Sequence, residues 1–120
     1  MSWKITVVDE VLTWLHGLRR TDPATLKLIS AALDLLEEQG PSLGRPLVDT
    51  ITGSSISNLK ELRPGSTGGT EIRMLFVFDR ARQAVFLVAG DKAGNWKGWY
   101  QEAIPLAEQR YEAHQNTTHD

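Results

Sequence analysis

The chain has 120 residues, 41% of them hydrophobic, with 13 Lys/Arg against 15 Asp/Glu, a net charge of -2 and no cysteine. That is room for one domain that buries about two thirds of its unfolded surface without staples. It excludes disulfides and thiolate chemistry, and it makes the cytoplasm the expected compartment. The first ten residues already include Asp9 and Glu10, and no apolar run is long enough to cross a bilayer, so neither signal peptide nor membrane helix is expected.

The charge is unevenly spread. Residues 1–59 carry five Lys/Arg against seven Asp/Glu, residues 60–100 seven against four, and residues 101–120 one against four. Bulk charge excludes a protein that holds nucleic acid by composition alone, but the middle third is locally cationic.

Trp3, Ile5 and Val7 alternate with Lys4 and Thr6 as in a half-buried strand. Val11, Leu12, Leu15 and Leu18 then recur at helical spacing up to Arg20. Asp22 is placed to cap a second helix and Pro23 suits its first position. Leu26, Ile29, Leu33 and Leu36 keep one apolar face until Gly40-Pro41 stops it, giving an antiparallel helix hairpin. Residues 40–58, rich in Gly, Pro, Ser and Thr, read as a long irregular connection.

Three strands follow, 58–63, 70–79 and 84–90, separated by turns at 64–69 and 80–83. Ile72, Met74, Phe76 and Phe78 alternate with Arg73, Leu75 and Val77, while Val85 to Ala89 is uniformly apolar. Pro105 is expected to open a last helix carrying Ala107 and Tyr111. The layout is α+β: a helix hairpin on one face of a four-stranded, mainly antiparallel sheet, whose other face is left open as the working surface. Residues 1–113 form the single domain, and 114–120 read as a polar tail with nothing to bury.

No Gly-rich phosphate loop opens a helix, and no metal-ligand spacing occurs. The three histidines, His16, His114 and His119, fall in a helix and in the tail. Basic residues gather around the meander: Lys60, Arg63, Arg73, Lys92 and Lys97. Each alone reads as a solvated position; the grouping suggests an anion site. Arg73 lies inside an apolar strand, where a guanidinium needs a solvent path or an anionic partner, and Glu61 and Glu71 are the neighbours able to serve. Trp96, Lys97, Trp99 and Tyr100 interleave rings and charge, a pattern that stacks bases and holds phosphates, or else anchors a short helix to the core.

The ordered set Asn58-Leu59-Lys60-Glu61-Leu62-Arg63, Glu71-Ile72-Arg73-Met74-Leu75-Phe76, Val85 to Lys92, and Trp99-Tyr100 before Ala103-Ile104-Pro105 resembles the HigB branch of the RelE/ParE toxin superfamily. More narrowly, it is similar to the phage-derived HigB-like group. The resemblance implies a RelE-like fold and a toxin of a type II toxin-antitoxin system, a ribosome-dependent endoribonuclease that cuts mRNA in the A site. It needs no cofactor or metal and uses the adjacent 2′-OH as nucleophile. Its partners would be a helix-turn-helix antitoxin and the ribosome, with 16S RNA and the A-site codon completing the site. By the same resemblance Arg73, Lys92, Tyr100 and, more loosely, Lys60 are the catalytic candidates and Arg63 contacts RNA, while the interleaving of rings and charge adds Lys97 and Trp96 as RNA contacts. Some relatives place a histidine near the C-terminal end of the site; this sequence has none there. Two other functions fit the residues: a ParE-like poison of DNA gyrase, and a non-catalytic module that docks a protein through its sheet face.

Overall fold

The computed structural model describes residues 2–65 and 67–118. β1 (Lys4–Val7) leads directly into α1 (Asp9–Thr21), and α2 (Pro23–Gln39) begins after one intervening residue. That residue, Asp22, makes the corner. Its carboxylate accepts from the Thr25 backbone N–H at 3.2 Å and from the Thr25 hydroxyl at 2.5 Å, satisfying amide donors that the first turn of α2 leaves open. At the other end of α2, Gly40 has a φ of 56°, and the Trp3 indole occupies the place of the side chain it lacks.

The sheet has five strands, one more than the sequence suggests, in the order β1-β5-β4-β3-β2. The extra strand is β2 (Val48–Thr50), inside the segment expected to be irregular; it pairs antiparallel with β3 (Lys60–Leu62). Three residues between Gly44-Arg45-Pro46 and Gly53 are too few for alternation to show, and Val48 alone supplies the buried anchor. β4 (Ile72–Phe78) and β5 (Gln83–Asp91) complete the antiparallel part. β1 joins the far edge parallel to β5, so the sheet is mixed.

A register shift at Leu75/Phe76 makes Leu87 an extra residue on β5. The bulge resets the alternation beyond it: Val85, Leu87 and Val88 share one face with Leu75 and Val77, and Gly90 comes to stand opposite Arg73. Arg110 Nη1 donates to the Leu87 carbonyl at 2.9 Å, satisfying the acceptor at the bulge.

α1 and α2 cover one face, where Val11, Ile29, Ala32 and Leu36 meet Leu62, Met74, Phe76 and Phe86. The second face, expected to be open, is covered across β4 and β5 by α3 (Trp96–Thr118). Ala103 and Ala107, one turn apart, let that helix lie close against Leu75, Val77, Val85 and Leu87. Pro105 does not open this helix; it lies within it on the exposed side, where water can serve the carbonyl its missing N–H leaves free. The helix also takes in His114 to Thr118, the first part of the expected tail, while His119 and Asp120 lie outside the described residues.

Candidate active site

The site forms where α3 begins, on the sheet face that α3 covers only across β4 and β5. Leu62 faces the helix hairpin, so by strand alternation Glu61 and Arg63 face the other way, toward the start of α3. Arg73 on β4 shares that face, opposite Gly90. Because Gly90 has no side chain, the Trp99 indole lies directly on the strand: an added Cβ would be 2.6 Å from its Nε1. Trp99 is thus the packed anchor, and it sets the adjacent Tyr100 over β3 and β4, with ring centroids 5.0 Å apart in an edge arrangement.

Glu61 is the hub. Its side chain is 1% exposed. Oε1 lies 2.9 Å from Arg63 Nε and 3.3 Å from Arg73 Nε, and Oε2 accepts a hydrogen bond from the Tyr100 hydroxyl. Arg63 Nη2 also reaches Asp49 Oδ2 at 3.3 Å, where Arg45 Nη2 lies at the same distance, and Arg73 Nη1 donates to the Ile72 carbonyl at 2.7 Å. Glu61, and not Glu71, is therefore the anionic partner that Arg73 requires.

Electrostatics follow from this packing. Burial first, then the bond to the Glu61 carboxylate and its charge, push the Tyr100 phenol well above its ordinary range, so it stays protonated at neutral pH. The hydrogen bond to Glu61 holds Arg63 protonated still more firmly than usual. Asp49 is held below the usual carboxylate range, chiefly by the Thr50 backbone N–H.

On the rim, the turn from β5 to α3 fixes Lys92. Asp91 accepts from the Glu71 and Ala93 backbone N–H groups at 2.8 and 2.9 Å, and Gly94 closes the turn at a φ of 77°. Lys92 Nζ then sits 5.3 Å from the Tyr100 ring centroid and 5.9 Å from that of Trp96, which is 56% exposed. Lys97 is exposed on the first turn of α3.

Of the sequence candidates, the structure brings Arg63, Arg73, Lys92, Trp96 and Tyr100 together. Lys60 faces the opposite side of the sheet, with Nζ 3.1 Å from Thr50 Oγ1. In the sequence Glu61 reads only as a possible counterion, and Asp49, in the segment expected to be irregular, carries no signal. The signal for Glu61 was there: in Lys60-Glu61-Leu62-Arg63, strand alternation puts the acid and the arginine on one face. A groove of about 720 Å³ elsewhere, between Ser55 to Asn58 and α3, is lined by Glu108 and Glu112 and is electrostatically unsuited to a phosphate chain.

The family profile described as "Phage derived protein Gp49-like (DUF891)" matches residues 16–112. The chain belongs to this Gp49-like family. Two Mycobacterium tuberculosis proteins, named as the candidate toxins HigB2 and HigB3, are similar to most of it. The first is 52% identical over 107 residues, covering 89% of this chain and 52% of the relative; the second is 50% identical over 108 residues, covering 90% of both. The Gp49-like chain thus spans about half of the first relative and nine-tenths of the second. Its fold is that of E. coli toxin RelE, solved as a double mutant in the free state: TM-score 0.60, 12% identity, 88% of this chain and 97% of that one. The HigB-like resemblance of the ordered motifs is borne out.

Proposed function

We propose that this Gp49-like chain is the toxin of a toxin-antitoxin pair and cleaves mRNA in the ribosomal A site. The observation that carries the reading is the convergence of two guanidinium groups and a protonated phenol at one end of the sheet, with a lysine and an exposed tryptophan on the rim. Those are the groups that metal-free RNA cleavage asks of a protein.

In that reaction the 2′-oxygen bonds to the adjacent phosphorus, the bond from phosphorus to the 5′-oxygen breaks, and the products are a 2′,3′-cyclic phosphate and a 5′-hydroxyl. Arg63 and Arg73 bind the non-bridging oxygens, whose charge grows in the transition state. Tyr100 gives its proton to the departing 5′-oxygen; an alkoxide is a stronger base than a phenolate, so the transfer is downhill despite the raised phenol. Trp96 offers a flat face for a codon base, and Lys92 a charge for the neighbouring phosphate. The acceptor of the 2′-OH proton is left to the RNA of the ribosomal complex, which makes cleavage ribosome-dependent. Lys60, on the other face, takes no part.

The test is induction in growing cells with two readouts. Protein synthesis stops as message is cut, while DNA supercoiling by gyrase is unchanged. Halted supercoiling with intact message assigns the gyrase-poison function instead, and continued growth with both processes normal assigns a binding module.

A further inference from the structure

We propose that Glu61 is the positioning residue of this site: its carboxylate holds the Arg63 and Arg73 guanidinium groups and the Tyr100 hydroxyl in the alignment that cleavage uses. The inference rests on the reading that the site cuts RNA.

Three observations support it. First, the setting is a poor one for a purely structural ion pair. Glu61 stands opposite Leu75, beside the apolar cluster of Leu59, Leu75 and Leu87, with its side chain 1% exposed. Taking a carboxylate out of water there costs free energy that its ion pairs barely return: whole clusters of this kind are commonly replaced by well-packed apolar residues without loss of stability, although removing one member alone strands the charges of the others.

Second, the contacts face the right way. Arg63 donates from Nε, the inner nitrogen, to Glu61 Oε1, and Arg73 Nε lies 3.3 Å from the same oxygen as an ion pair without the alignment of a hydrogen bond. Arg63 Nη1 and Arg73 Nη2 take no partner among the described residues, while the side chains stay 37% and 18% exposed. The carboxylate thus grips the cations from beneath and leaves a donor on each for an anion above. It also holds apart two like charges that would otherwise repel.

Third, the three groups come from different elements. Arg63 follows β3, Arg73 is on β4, and Tyr100 is on α3, 39 residues from Glu61. One buried carboxylate is what they have in common, so its loss loosens all three together, leaving Arg63 only Asp49 and Arg73 only the Ile72 carbonyl.

The experiment compares the wild-type chain with Glu61→Gln and Glu61→Leu in three measurements: melting temperature, cosedimentation with programmed ribosomes, and single-turnover cleavage on those ribosomes. The expected result is a split. Glu61→Gln, which keeps an acceptor for the cations and the phenol, melts close to wild type, whereas Glu61→Leu melts lower because Arg73 loses its counterion; both bind ribosomes at least as well, because the site has lost a negative charge. Cleavage slows by about 10- to 100-fold, as for misaligned reacting groups. Adding Tyr100→Phe to Glu61→Gln costs little more, since the hydroxyl has already lost its guide.

Full-speed cleavage by either variant overturns the inference. So does a large drop in melting temperature in both, which makes Glu61 a requirement of the fold, or a cleavage loss that only follows lost binding. A wild-type chain that leaves A-site codons intact removes the RNA-cleavage reading beneath it, a result distinct from all of these.

Discussion

Tyr100 separates chemistry from packing most cleanly, because its hydroxyl meets Glu61 while its ring leans on Trp99. Tyr100→Phe keeps the ring and is expected to slow single-turnover cleavage by about 10-fold or more, the lower range for one positioned proton donor, with a nearly unchanged melting temperature. The same phenol sets an alkaline limit on stability. Its folded-state pKa is raised, so the folded chain holds this proton more tightly than the unfolded one; the contribution is complete below pH ~10 and is lost as the pH rises further. Urea midpoints measured from pH 8 upward check the sign. Arg73 has a mixed role. Its Nε stands 3.3 Å from a buried carboxylate, so Arg73→Ala abolishes cleavage and also costs about 1–3 kcal/mol, less than an orphaned charge because Arg63 and Tyr100 still serve Glu61. A cleavage loss with no change in the denaturation midpoint would show that the pair with Glu61 contributes nothing to the fold.

Single positions also govern how whole elements meet. Gly90 lets Trp99 lie on β5, so Gly90→Ala drives a Cβ into the indole, lifts the first turn of α3 and moves Tyr100 off Glu61. Cleavage should fall sharply while the far-ultraviolet circular dichroism stays native; wild-type activity would show that α3 docks without that contact. Arg110 is the other fastener, tying α3 to the bulged Leu87 carbonyl and, at 3.6 Å, to Glu10 on α1. Arg110→Ala leaves that carbonyl unsatisfied and should destabilise by about 1–3 kcal/mol in a denaturant titration. The long periodic elements, α1, α2, β4 and β5, were legible because their apolar spacing spans several repeats. β2 was not, since three residues carry no period. α3 begins before Pro105, where the sequence suggests its start, because the packing of Ala103 and Ala107 on the sheet outweighs the cost of a proline inside the helix.

Across the whole molecule, the cationic middle third is divided between the two ends of the β4-β5 hairpin: Arg63, Arg73 and Lys92 gather at the start of α3, whereas Arg80 and Arg82 lie at the opposite turn. The sequence therefore revealed the charge and most of the residues that hold it. The arrangement around Glu61 depends on register and on the β5 bulge, which no local pattern encodes. An antitoxin that covers this end with acidic side chains should associate more slowly as salt rises, and a salt-independent on-rate would place its contact on an apolar face instead. The central claim is tested most directly by mapping mRNA 5′ ends after adding the pure chain to ribosomes halted with a defined A-site codon, beside the same mRNA without ribosomes. The account predicts new 5′-hydroxyl ends within the A-site codon on ribosomes and uncut naked message. Intact A-site codons at saturating protein would contradict it.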